Sequence, residues 1–153
     1  MNAKPEKYKQ IEKMTLCVTA LLAFFSGVAI YACFRNINNM LLWQFLPKPK
    51  LQDLELIHIN TNSIWLYLFS YNLPNGLWCL SGLLLIRASW LTNKKYEISY
   101  RVIWISATAI FEIMQLVEII PGTFDLLDLA SIGIFAFLES IIFTMFVKRR
   151  ILL

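Results

Sequence analysis

The sequence predicts an all-α membrane protein with four transmembrane helices and both termini in the cytoplasm. Three observations predict it. Hydrophobic residues make up 58% of the 153 and charged residues 16%, against about 45–50% and 25% in an ordinary soluble domain. A chain this short keeps a large part of its surface wet and could not hide that much apolar area in water. Four stretches approach the ~20 apolar residues that cross a ~30 Å hydrocarbon core as helix, and an open strand would leave its backbone groups unpaired there. The lysines and arginines then divide unequally between the two sides. Eleven of the fourteen (Lys4, Lys7, Lys9, Lys13; Arg87, Lys94, Lys95, Arg101; Lys148, Arg149, Arg150) fall on one side, and Arg35, Lys48 and Lys50 on the other. The richer side is the cytoplasmic one. The whole chain reads as one transmembrane domain, residues 1–153.

The first span, 14–34, carries no charge over 21 residues. Its basic start resembles a signal peptide, but its apolar stretch exceeds the 7–15 residues such regions use, so it is read as an uncleaved helix. Ala23 and Gly27 are small enough to let another helix approach closely. The outer loop, 35–62, follows, with Asn36, Asn38, Asn39, Trp43, the run Pro47-Lys48-Pro49-Lys50 and His58. Trp43 suits the membrane interface, and His58 reads as a surface residue.

The second span is interrupted at Tyr71-Asn72-Leu73-Pro74-Asn75-Gly76. Proline fits the first turn of a helix and asparagine fits the cap before it. This places a helix over 73–90, broken from or preceded by a short interfacial segment at 63–71. The other solution is one continuous helix kinked by Pro74. A break would aim amide donors, with Asn72 and Asn75, at a cavity on the outer face.

The third span, 102–120, carries Glu112, Gln115 and Glu118. Glu112 lies eleven residues past Arg101, about 16 Å along the helix. An acid at mid-membrane costs about 2.5–3.5 kcal/mol, while the ten Val, Ile, Leu and Phe residues of this span return only about 3–6 kcal/mol. Such a helix needs a polar partner or a water-filled face. Thr108, Glu112 and Gln115, spaced i, i+4, i+7, form one stripe facing protein.

Pro121-Gly122 ends this helix, and the fourth span, 126–147, begins at once. Asp125 is a credible N-cap, and Asp128 is favoured by the positive helix end. Asp128 and Glu139, eleven residues apart, share a face; Ala130, Gly133, Ala136 and Ser140 form another, of small residues.

The outer half therefore gathers Asn72, Asn75, Glu112, Gln115, Glu118, Asp125 and Asp128. Asn72, Asn75, Glu112, Gln115, Asp125 and Asp128 are the candidate binding residues; the cluster is a functional site or polar glue between helices. Asp125-x-x-Asp128 is similar to the aspartate pairs of Mg²⁺-dependent lipid transferases, but the glycine, alanine and arginine of one such motif are absent and no second aspartate-rich run exists. No zinc-ligand spacing, serine–histidine pair or glycine-rich phosphate loop is present. Cys17, Cys33 and Cys79 sit in apolar stretches as small hydrophobes. No cofactor, metal or catalytic residue is assigned. The net charge of +4 is accounted for by topology and anionic lipid headgroups, without nucleic acid.

Glu112-x-x-Gln115, a Pro-Gly turn, Phe124-Asp125-x-x-Asp128 and Gly133, preceded by Tyr71-Asn72-Leu73-Pro74-Asn75-Gly76-Leu77-Trp78, resemble the VanZ-like bacterial membrane proteins over roughly 71–139. The resemblance implies a multi-pass protein of the bacterial cytoplasmic membrane, in a family named for a protein that raises resistance to the glycopeptide teicoplanin. By that likeness Glu112, Gln115, Asp125 and Asp128 are its functional polar residues. The function expected is the binding or handling of a lipid-linked or amphiphilic molecule at an acidic outer-leaflet pocket; the alternative is a small subunit or stabiliser of a larger membrane complex.

Overall fold

A computed structural model describes residues 6–34, 63–120 and 124–151, with side chains as far as Thr144. The expected outer loop, with Trp43 and His58, and the Pro121-Gly122 turn lie outside the described residues. Among those described there is no strand. Helix α1 runs Glu6–Phe34. Helix α2, Ile64–Tyr67, passes into a π-helical turn, Leu68–Asn72, and then into α3, Leu73–Ser89. Helix α4 is Lys94–Leu116 and α5 is Leu126–Ile151.

α1 lies antiparallel on α3: Gly27 meets Trp78 and the Pro74 carbonyl, Tyr31 packs on Trp78, and Phe34 meets Phe69 in the π turn. The buried Ala23 and Gly27 form this seam, as the small residues of the first span predict. Helix α4 runs antiparallel to α3, with Trp104 Nε1 donating to the Cys79 carbonyl at 3.1 Å and Arg87 meeting Glu97. α5 runs parallel to α3, from Asn72–Asp128 at one end to Arg87–Glu139 at the other. The helices thus alternate in direction. A small core of Cys79, Leu83, Ile132 and Ala136 sits between α3 and α5, with Ile105 of α4 against it.

The exterior is apolar and the interior carries the charges. Leu22, Phe25, Trp65, Ile103, Phe111, Leu126, Phe137 and Ile142 are exposed, while Arg87, Glu97, Glu112, Asp128 and Glu139 are buried. Two helical stretches, Glu6–Phe34 and Leu126–Thr144, are long and apolar enough to cross a membrane. Only 22% and 17% of their most apolar windows are buried, whereas a core helix of a water-soluble protein buries most of its surface.

Two sequence expectations are corrected. The second span is not broken at Asn72. Backbone angles stay helical from Leu68 through Leu73, and the Leu73 N–H reaches back to the Leu68 carbonyl. Ile64–Ser89 is one helical path of 26 residues, about 39 Å long. In α-register the Pro74 ring would press on the Ser70 carbonyl, and the wider turn relieves that. The Ser70 hydroxyl donates to the Leu66 carbonyl at 2.7 Å, and Asn72 makes no capping bond.

The third helix starts at Lys94 and ends at Leu116, not at 120. Ile119 N–H bonds the Met114 carbonyl at 2.9 Å and Glu118 N–H the Gln115 carbonyl at 3.1 Å. These are the two bonds of a Schellman stop. Glu118 holds the left-handed position, at φ 56°, where glycine is the usual residue. Glu118→Gly is therefore expected to stabilise the protein by about 0.5–1 kcal/mol, the left-handed penalty less the extra freedom of an unfolded glycine. Thermal unfolding of the purified variant checks this; an unchanged or lower midpoint contradicts it.

Candidate functional site

At the end of the bundle formed by the π turn and the start of α5, Asn72 is the central residue. It is 3% exposed. Its Nδ2 donates to Asp128 Oδ1 at 2.7 Å and to Asp125 Oδ2 at 3.2 Å. Tyr67 donates its hydroxyl to the same Asp125 oxygen at 2.9 Å, and its ring stacks on Tyr71 at 4.8 Å between centroids. The other Asp125 oxygen accepts from Leu127 N–H at 2.9 Å, so Asp125 is the N-cap of α5 as well as a member of the cluster. Asn72 Oδ1 is buried with no hydrogen-bond partner among the described residues.

Glu112 is buried in α4. Arg101 on α4 bonds Glu139 on α5, and these helices are antiparallel. Counting eleven residues from that contact in the same direction reaches Glu112 on one helix and Asp128 on the other, both about 16 Å away. The two acids thus share a depth. Thr108 and Gln115 are half-buried beside Glu112, so the stripe faces inward as its spacing predicts.

The remaining expected members do not join by bonding. Asn75 and Gln115 are half-buried, and no side-chain hydrogen bond ties either to the described residues. Glu118 is exposed in the turn after α4 and leaves the cluster altogether. No group of three or more His, Cys, Asp or Glu side chains among the described residues is placed to hold a metal ion.

A second polar assembly, at the opposite end, was not legible in the sequence. Arg87 of α3 donates from Nε to Glu139 Oε1 at 2.6 Å and from Nη1 to Glu97 Oε1 at 3.0 Å. Arg101 bonds the second Glu139 oxygen, meets Glu97 Oε1 at 3.5 Å and donates to the Ser140 hydroxyl at 2.8 Å. The Arg87 guanidinium also stands 3.5 Å over the Phe143 ring, a cation–π contact. Arg87 and Arg101 read in sequence as loop charges that mark a side of the membrane. They lie instead within helices, in a closed ring of two cations and two anions.

Comparison with protein-family models, curated proteins and solved structures found no match to this chain.

Proposed function

We propose that the chain is a four-span protein of the bacterial cytoplasmic membrane with both termini inside. In this reading it is a VanZ-like cell-envelope factor that binds or handles a lipid-linked or amphiphilic molecule at an acidic site open to the outer leaflet. Asp125, Asp128 and Asn72 form one wall, with Asn75 beside them; Glu112 and Gln115, at the same depth on α4, form another. Such a site would lower the action of teicoplanin-type lipophilic glycopeptides. The apolar exterior and the alternating helix directions support the four spans, and the basic residues support the orientation.

The observation that carries the site is Asn72. Polar glue between helices is expected to be internally satisfied, and the ionic ring is: each of its charges bonds at least two others or a ring face. Asn72 is equally buried, yet its carbonyl oxygen is left over. A buried acceptor left over beside two carboxylates calls for a donor from outside the described residues.

The test is Glu112→Gln, which keeps shape and removes the acid. Cells carrying it are expected to accumulate the protein normally in the membrane while losing the envelope phenotype, read as glycopeptide susceptibility beside wild type. Loss of accumulation would make Glu112 a helix-holding residue and remove support for the site. A subunit reading is favoured by one observation, the open face of α5 at Gly133, where an added Cβ would meet nothing within 4 Å. Under it, Glu112→Gln keeps full function.

A further inference from the structure

We infer that the first turns of α4 form a surface selective for anionic phospholipid in the leaflet at that end of the bundle. This rests on the membrane reading above and adds a lipid class and the residues that choose it. Lys94 and Lys95 open α4 and are exposed. Among the described residues neither makes an ion pair. Glu97, the acid next to them in sequence, is turned inward and spent on Arg87 and Arg101. The ionic ring balances two cations with two anions, so it leaves both lysine charges for another partner. Ile98 and Val102 stand one and two turns further along the same face, since the four residues follow i, i+1, i+4, i+8. Both are exposed. The face therefore runs from charge at the end of the bundle to apolar surface about 12 Å further in. That order matches an anionic headgroup followed by its acyl chains. A soluble anion would leave Ile98 and Val102 unused, and a zwitterionic headgroup would bring its own cation against the lysines.

The turn between α3 and α4 holds this face at one depth. Trp90, just past the end of α3, stacks on Tyr100 at 5.3 Å between centroids and meets Tyr96 at 5.1 Å. The Asn93 N–H bonds the Trp90 carbonyl at 3.0 Å, and the Asn93 side chain accepts from Tyr96 N–H at 3.5 Å. Tyr96 and Tyr100 are exposed, and aromatic residues of this kind settle at headgroup level. Lys94 and Lys95 lie within one turn of Tyr96, so they stand where lipid phosphates stand, and each cation there attracts anionic lipid.

Native mass spectrometry of the full-length protein, released from a neutral detergent, tests this with three probes at equal concentration: dioleoylphosphatidylglycerol, dioleoylphosphatidylcholine and glycerol 1-phosphate. The wild type is expected to retain the phosphatidylglycerol at least tenfold more than the phosphatidylcholine, and glycerol phosphate not at all. Lys94→Gln combined with Lys95→Gln is expected to lose most of that preference while keeping its helical circular dichroism. Lys7→Gln, Lys9→Gln and Lys13→Gln together, at the same end of the bundle on α1, are expected to keep it. Equal retention of the two lipids by the wild type overturns the anionic selectivity and leaves the membrane reading standing. Retention of neither overturns the lipid surface; if the protein also stays in solution once detergent is removed, the membrane reading falls with it. Retention of glycerol phosphate overturns the need for acyl chains. Undiminished preference in the folded double variant, or its loss in the α1 variant, overturns the placement on α4. The comparison among probes is made on the wild type, so it holds even if a variant fails to fold.

Discussion

Glu139→Gln is expected to destabilise the protein by about 3–5 kcal/mol, the usual consequence of removing one partner from a buried ion pair. Glu139 is 4% exposed and accepts from both Arg87 and Arg101. Without its charge, one buried and one half-buried guanidinium share Glu97 alone. The double variant Arg101→Met, Glu139→Met leaves Arg87 paired with Glu97 at 3.0 Å and so removes one cation with one anion. It is expected to be more stable than Glu139→Gln alone, a sign reversal that simple loss of contacts cannot give. Thermal unfolding of the three proteins in one detergent reads the difference. A double variant less stable than the single one would show that the ring contributes through packing rather than charge balance.

Gly82→Ala is expected to cost about 2–4 kcal/mol, from overpacking and a lost hydrogen bond. A Cβ at position 82 would fall within the Trp104 ring. The indole cannot retreat without giving up its bond to the Cys79 carbonyl. Apart from the ionic ring and Ile105 on the core, α4 has little apolar hold, since its buried side chains are Glu97 and Glu112. Moving Trp104 therefore loosens the middle of α4 against α3. Gly82→Ala combined with Trp104→Leu is expected to recover about half of the loss, because the smaller side chain clears the new methyl. Protease sensitivity of the loop between α3 and α4, measured beside thermal unfolding, reports the detachment; equal protection in wild type and Gly82→Ala would contradict it.

What the sequence made legible was local. The apolar runs gave the helices, Asp125 announced the cap of α5, and the eleven-residue spacing put Asp128 and Glu139 on one buried face. Ala23 and Gly27 identified the seam of α1. Each follows from periodicity or from a terminus rule acting within a few turns. The misses involve choices between energetically close local solutions, or contacts between distant segments. Pro74 permits a helix start or a widened turn, and only the bonds of Asn72 to α5 decide between them. Glu118 stops α4 without glycine, so no residue type announced it. The four members of the ionic ring lie on three helices, and nothing in their spacing says that Arg87 would face Glu139. Of the candidate site, Asp125, Asp128 and Asn72 come together as their chemistry suggested, though Asn72 does so as a clamp rather than a cap.

The ionic ring also constrains the order of assembly. Arg87, Glu97 and Arg101 are made before Glu139, and the first two can pair as soon as the α3–α4 hairpin forms. At that moment the hairpin holds two arginines against one glutamate, a surplus positive charge in a place that disfavours it. Only the arrival of α5 cancels it. A chain cut short before its last helix thus keeps one arginine between α3 and α4 without its counter-charge, and the hairpin is complete in shape before it is complete in charge.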